Sequence, residues 1–251
     1  MRLVHDRILC LAAAFPDTSI AALDQNEHRF LNRSPLSCVR SASGGTLWSY
    51  MTDPTDERHA SAPSRTADLA SALPHVWITA DHHFGHANIV VYAGRPFSAD
   101  QQDAEMARRW RTTVPSDEAV LHLGDLVVGG NAPGLWELVS TLSGNPRWLV
   151  LGNHDRPHRI GLIRAAGFTI IEPPELGYRN WLVRFTHRPL PAAELGRHQL
   201  NVHGHTHSKV ASTDLRWVNV SVEATDYRPV RLHDLLDERI DELTRTPSHE
   251  R

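Results

Sequence analysis

Five short clusters of metal-binding residue types succeed one another along the last two-thirds of the chain: Asp81-His82-His83, Gly124-Asp125, Gly152-Asn153-His154-Asp155, Thr186-His187 and Gly204-His205-Thr206-His207. Each follows a run of apolar and β-branched residues that reads as a buried strand, so each falls where a strand runs out into a loop. Open α/β sheets carry their sites at such strand ends, which turns scattered polar residues into one candidate site. A fold that gathers these strand ends on one side is the main requirement the sequence imposes.

The strand candidates are Val76 to Ala80, Ala119 to Leu123, Arg147 to Leu151, Trp181 to Phe185 and Gln199 to Val202, with a sixth, half-buried by its alternation, at Trp217 to Val222. Helical patterns fill the gaps at Asp100 to Arg111, Leu135 to Leu142, Ile160 to Ala166 before Gly167, and Leu232 to Leu243, the last acidic and amphipathic. Strand and helix alternate in the first half, which predicts βαβ units with parallel strands, while the second half is richer in strands and turns. The expected fold class is a mixed α/β sandwich.

At 251 residues the chain is long enough for a full core. From about Gln25 to Ala72 it is rich in Ser, Thr, Pro, Asp, Arg and Ala and broken by Ser34-Pro35, Gly44-Gly45, Asp53-Pro54 and Ala62-Pro63. Residues 1–73 are therefore expected to be a disordered or linker-like extension, and residues 74–245 the domain. A net charge of −3 gives no global basic field, so nucleic acid enters only as a substrate. Cys10 and Cys38 are the only cysteines and neither belongs to a CxxC pair, which excludes a disulfide framework or cysteine-based zinc motif. The apolar run Ile8 to Phe15 is at the short end for a signal-peptide core and Asp17 follows closely, so the expected location is cytoplasmic. No stretch has the length of a membrane span.

The clusters define a coordination chemistry. In Asp81-x-His83, extended backbone points a carboxylate and an imidazole to the same side, with His82 facing away. Asp and neutral His together suit borderline divalent ions such as Mn, Fe, Zn, Ni or Co, of which Mn is favoured here. Asp125 has two carboxylate oxygens and can bridge ions held ~3.5–4 Å apart. Asn153 offers an uncharged amide oxygen, and the paired histidines of Gly204-His205-Thr206-His207 can reach neighbouring ions. Each cluster alone also has an ordinary reading as a turn, cap or core residue; their order and shared strand-end context favour the metal reading. His122, inside an apolar strand, reads as a core histidine.

In order and content, the series D-x-H, GD, GNHD, a lone His and GHTH resembles the calcineurin-like metallophosphoesterase superfamily, over about Val76 to Val230. Phe84-Gly85-His86-Ala87-Asn88, Arg95-Pro96-Phe97 and Tyr227-Arg228-Pro229 resemble its smaller bacterial and phage-type branch. The resemblance implies a four-layer α/β/β/α sandwich of two mixed sheets with a dinuclear metal site between strand-end loops. It implies that Asp81, His83, Asp125 and His207 hold one ion, that Asp125, Asn153, His187 and His205 hold the other, and that His154 assists at the scissile phosphate with Asp155 orienting it. His86, Asn88 and Arg95 are candidates either to face substrate or to serve in capping and loop packing, and Arg156 and Arg188, each next to a cluster, either to clamp a phosphate oxygen or to stay on the solvated surface.

The function expected is hydrolysis of a phosphodiester or small phosphorylated metabolite by a metal-activated hydroxide. A nuclease of the same fold, or a catalytically silent metal-binding interaction module, are the alternatives. Nothing in the sequence specifies an oligomeric state.

Overall fold

A computed structural model describes residues 65–130 and 133–245. The N-terminal features discussed above up to residue 64 lie outside the described residues. Among the described residues nine strands form two mixed sheets. In the first, β1 (Val76–Thr79), β2 (Ala119–His122), β3 (Arg147–Val150) and β4 (Thr169–Ile171) run parallel, and β9 (Val230–Arg231) closes the far side of β1 antiparallel, in the order β4-β3-β2-β1-β9. In the second, β6 (Trp181–Thr186), β7 (Gln199–His203) and β8 (Trp217–Asn219) run parallel, with β5 (Glu175–Tyr178) antiparallel at the edge.

Side-chain alternation sets which sheet face each residue serves. Along β2 and its continuation, Ala119, Leu121 and Leu123 point into the core between the sheets, where they meet Val183 and Phe185 of β6 and Leu200 and Val202 of β7. Val120, from the opposite face, joins Leu149 in a second core under the helices. That outer core is filled by Met106, Ala107 and Trp110 of α3 (Gln102–Thr113), Val139 of α4 (Pro133–Ser140) and Ile163 of α5 (Ile160–Ala165). Trp110 is fully buried, and its indole N–H satisfies itself on the Ser143 carbonyl at 2.8 Å.

The second sheet has a more polar outer face, held to the connecting segments by hydrogen bonds. Asn201 is fully buried there and accepts from Leu190 N, while Trp217 donates its indole N–H to Leu190 O. The structure thus has the expected α/β architecture of two mixed sheets with helices. Strand β1 touches the second sheet at its end, where Ala80 bridges Ser221 and Val222 N donates to Ala80 O at 3.1 Å. The two sheets therefore meet at the strand ends that carry the clusters.

Three strands and two helices were not legible in advance. β4, β5 and β9 are short, and β5 contains Gly177, so alternation has too few residues to register. The sixth expected strand stops early, at Asn219, because Val222–Ala224 turns into a 3-10 helix. Helix α2 (Ile89–Tyr92) is a single turn. Helix α1 (Arg65–Ala72) departs from expectation, since it lies inside the stretch read as linker. Its Leu69, with Leu73 just beyond, packs into the inter-sheet core beside Leu232, Leu236 and Ile240, the last two on the amphipathic face of α6 (Leu232–Arg245).

Apolar burial at so few positions was outweighed in the sequence by the polar composition around it. Leu69 is 2% exposed, so Leu69→Ala is expected to lower unfolding stability by about 3 kcal/mol, the usual scale for deleting a buried leucine, in urea unfolding followed by circular dichroism.

Candidate metal centre

The clusters converge at the ends of five strands, three from the first sheet and two from the second. Asp81 and His83 follow β1, Asp125 follows β2, Asn153 to Asp155 follow β3, His187 follows β6, and His205 and His207 follow β7. Backbone bonds stitch neighbouring loops together: Asp81 N to Gly124 O, His83 N to Asp125 O and Gly204 N to His187 O, each 3.0 Å. His205 N donates to Asp81 Oδ2 at 2.7 Å, joining the loops of the two sheets.

The backbone is bent to aim the side chains. Asp81, His83, Asp125, His205 and His207 all have positive φ, between 53° and 69°. Residues with a Cβ rarely adopt this left-handed region, and its concentration on one set of polar residues is the pattern of a functional site holding strain. The neighbouring glycines clear the space this needs. At Gly124, with φ of 97°, a Cβ would lie 2.7 Å from Gly152 Cα and from His187 Nδ1, and a Cβ at Gly152 would run into Asp125 itself. At Gly204 a Cβ would meet Asp81 Oδ2 at 2.5 Å.

Two donor groups result. The ligand atoms of Asp81, His83 and His207 lie within 4.8 Å of one another, and so do those of Asp125, His187 and His205. Asn153 Oδ1 belongs to the second, 3.0 Å from His187 Nε2. Asp125 stands between them, its Oδ2 being 3.5 Å from His83 Nε2 and 3.4 Å from His187 Nε2. The structure therefore brings together all seven residues expected to be metal ligands.

Hydrogen bonds on the far side of two rings fix which nitrogen faces inward. His187 Nδ1 donates to Leu123 O at 2.9 Å and His207 Nδ1 to Glu223 Oε1 at 3.0 Å, so in each neutral ring the Nε2 lone pair is turned to the centre. His83 is 2% exposed, and both of its ring nitrogens are buried without a hydrogen-bond partner. Lone pairs of Asp, Asn and neutral His facing one another at this spacing repel unless a proton or cation lies among them, so the donor set fits divalent ions.

The electrostatics carry the same signature. Burial raises the Asp81 carboxyl to about 6, against the pull of His187 and His207. Burial also drives His83 down to about 2 and His205 down to about 4, so both are neutral. Burial pushes Asp125 up as well, but its hydrogen bond and charge contact with His187 win and hold it below the usual carboxylate range. In His187 and His207 burial opposes the charge, yet Asp125 and Glu223 respectively keep each ring above the ordinary imidazole value.

One expected role is corrected and one open alternative is decided. Asp155 does not orient the His154 ring. Its Oδ2 accepts from Asp125 N and Gly152 N, both at 2.8 Å, and its Oδ1 from Leu126 N at 3.1 Å, so it holds the loop of Asp125 in place. His154 is tied instead through its own backbone N–H to Asp125 Oδ1 at 2.7 Å, with its side chain 39% exposed and Nε2 4.0 Å from Asp125 Oδ2. Of its two readings, Arg95 takes the one of loop packing. Its buried guanidinium donates to the carbonyls of Asp81 and His82, to Gln102 and to Glu223, between 2.7 and 2.9 Å.

Glu223 was not anticipated, because it lies just past the stretch read as strand and carries no local motif. It links Arg95 to His207 and so supports one ligand from behind. His82 turns away as expected and bonds His122 across the outer core, Nδ1 to Nε2 at 3.0 Å. Since His122 Nδ1 accepts from Gly124 N, His122 Nε2 carries the proton of that bond. His86 is partly buried with its ring 5.8 Å from that of His83, while Asn88 and Arg156 are exposed. Arg188 is exposed and reaches back to His205 Nε2 and Asn153 Oδ1.

Comparison with known proteins agrees with this geometry. Residues 74–246 match the calcineurin-like phosphoesterase family, and the chain belongs to it. The uncharacterised protein MJ1445 of Methanocaldococcus jannaschii is 30% identical over 165 residues, covering 62% of this chain and 86% of the relative. The gene 66 protein of Mycobacterium phage L5 is 32% identical over 88 residues, which span 34% of this chain and 42% of the phage protein. Among solved structures, protein AQ665 of Aquifex aeolicus aligns with a TM-score of 0.51 at 19% identity, covering 67% of this chain and 98% of that one, a likeness of fold. Members of this family hydrolyse phosphoesters using divalent metals. Among the described residues no helix is long and apolar enough to cross a membrane.

Metal binding must displace the protons that the raised Asp81, His187 and His207 hold in acid. Affinity is therefore expected to fall as pH drops, first through the raised range of His187 and His207, above the ordinary imidazole value, and then through about 6, where Asp81 takes up its proton, releasing the metal on dialysis into acid buffer, with protons released on rebinding. Glu223→Gln, which weakens the support behind His207, is expected to lower metal affinity about tenfold or more in competition with a chromogenic chelator.

Proposed function

We propose that this calcineurin-like phosphoesterase is a dinuclear-metal hydrolase of phosphodiesters or small phosphorylated metabolites. The observation that carries the reading is the position of Asp125 Oδ2, within 3.5 Å of a histidine from each donor group. One carboxylate shared by two groups suits a pair of ions better than two independent ones. In this reading Asp81, His83, Asp125 and His207 hold the first ion, and Asp125, Asn153, His187 and His205 the second. Manganese is the favoured ion within the set Mn, Fe, Zn, Ni and Co, and the working location is the cytoplasm.

Divalent ions at these positions supply Lewis acidity, which makes hydroxide available as a nucleophile near neutral pH and offsets charge on the phosphoryl oxygens. The chain supplies the rest. Asp81 and Asp125 contribute two negative charges against the four positive charges of two such ions, leaving a surplus that attracts a phosphate. His154, half-exposed and anchored to Asp125 through its backbone, is placed to stabilise the transition state or to pass a proton to the departing oxygen. Asp155 keeps that arrangement rigid by fixing the peptide groups of Gly152, Asp125 and Leu126. The convergence of complete donor sets favours an active enzyme over a silent binding module.

The test is metal quantification on the purified protein together with hydrolysis of a model monoester, a model diester, 2′,3′-cyclic nucleotides and single-stranded nucleic acid. Asp125→Asn is expected to abolish hydrolysis and to lower bound metal. His154→Ala should retain metal while turnover falls about 10²–10³-fold. Full activity in both variants would sink the reading, and activity confined to the nucleic acid would convert it to a nuclease.

A further inference from the structure

Arg188 follows His187 directly, and although it is exposed its guanidinium is directed inward. Nη1 donates to His205 Nε2 at 2.9 Å and Nη2 to Asn153 Oδ1 at 3.1 Å. The turn that carries it is pinned. Thr186 Oγ1 donates to Arg188 O at 2.6 Å and accepts from Asn201 Nδ2 at 2.9 Å, and Asn201 Oδ1 receives Leu190 N at 2.8 Å. With Asn201 fully buried, the backbone on both sides of Arg188 is set by the second sheet, and only the side chain is free to change partners.

Those two bonds consume ligand electrons. An imidazole nitrogen has a single in-plane lone pair, so His205 Nε2 accepting from Arg188 has none left to give. Asn153 Oδ1 has two, and they face His187 Nε2 at 3.0 Å and Arg188 Nη2 at 3.1 Å. A guanidinium and a divalent ion therefore compete for the same atoms of the second donor group, and their like charges add to the competition. The first donor group differs, since His83 keeps both ring nitrogens without a hydrogen-bond partner.

We propose that Arg188 is a switch residue of the second donor group. It holds His205 and Asn153 until they are taken up by an ion, and the released guanidinium then donates its planar fork to a phosphoryl oxygen of the ester at the rim of that group. Ions consequently bind in order, the Asp81, His83 and His207 side first, and Arg188 meets substrate only in the fully loaded centre. The proposal rests on the two-ion reading given above.

Calorimetric titration of the full-length protein with Mn²⁺, followed by titration of the loaded protein with inorganic phosphate, tests it. Wild type is expected to bind two ions in separate steps. In Arg188→Ala the second step is expected to tighten about tenfold, the scale of one charge-assisted hydrogen bond, with the first step unchanged. Phosphate should bind the loaded Arg188→Ala protein about tenfold more weakly than loaded wild type, and Arg188→Lys, with one point donor in place of the fork, should fall between the two. A second step of equal affinity in wild type and Arg188→Ala overturns the switch and leaves the two-ion centre standing. A single ion bound by both proteins overturns the switch and the two-ion reading together.

Discussion

The site depends on a carboxylate that points away from the metal positions. Asp155 takes three backbone N–H groups from the loops after β2 and β3, and those loops carry Asp125, Asn153 and His154. Burial, with the neighbouring charge of Asp125, raises its pKa above the usual carboxylate value, and the N–H groups of Gly152, Asp125 and Leu126 work in the opposite sense by favouring the ionised form. Hydrogen bonds to a buried charge are worth more than those between neutral groups, and losing the acceptor would strand three donors. What the Asp155 clasp delivers is the orientation of Asp125, whose Oδ1 then fixes His154 N and whose Oδ2 faces both donor groups.

A matching device serves the first donor group. Arg95 reaches the carbonyls of Asp81 and His82 and pairs with Glu223, which in turn holds His207. A buried guanidinium needs several acceptors to offset its desolvation, and here the acceptors belong to the strained residues around the site. The left-handed conformations of Asp81, His83, Asp125, His205 and His207 each carry a cost of order ~1 kcal/mol or more. Asp155, Arg95 and the inter-loop backbone bonds over-determine that backbone, and the glycines at 124, 152 and 204 remove the collisions it would otherwise cause.

How much of this could be read from sequence follows from how local each signal is. The strand ends, the order of the clusters and the set of seven candidate ligands were legible because each ligand sits at a fixed offset from an apolar run. The parallel pairing of β1 to β3 was legible from the intervening helices. Residues that act across the fold were not. Glu223 lies far along the chain from Arg95, and nothing in its neighbourhood distinguishes it from a solvated strand residue until the end of β8 turns back to the β1 loop. Arg95 and Asp155 were legible as residue types near a site, but Arg95 was left between substrate and loop packing and Asp155 was assigned to His154, because a sequence does not show which backbone groups a side chain will find. Leu69 was hidden by its polar surroundings in the same way.

The division of the site between two sheets ties its assembly to the fold as a whole. Asp81 from the first sheet accepts from His205 N of the second, and His187 from the second donates to Leu123 O of the first, so neither donor group exists in a half-formed sandwich. The first group is also unfavourable when formed alone, since it buries His83 without hydrogen bonds and holds Asp81 in surroundings that oppose its charge. Such a centre is a net cost to the folded chain until cations neutralise it, and cations that bind only the folded state shift the equilibrium towards it by mass action. The inter-sheet core, with its apolar residues from both sheets and from α1 and α6, must therefore be strong enough to hold the donors together before the metal arrives. Both donor groups pair two buried residues with one half-buried histidine, and the second alone has an exposed arginine reaching in to its histidine and its asparagine, so the rim of the site lies on that side.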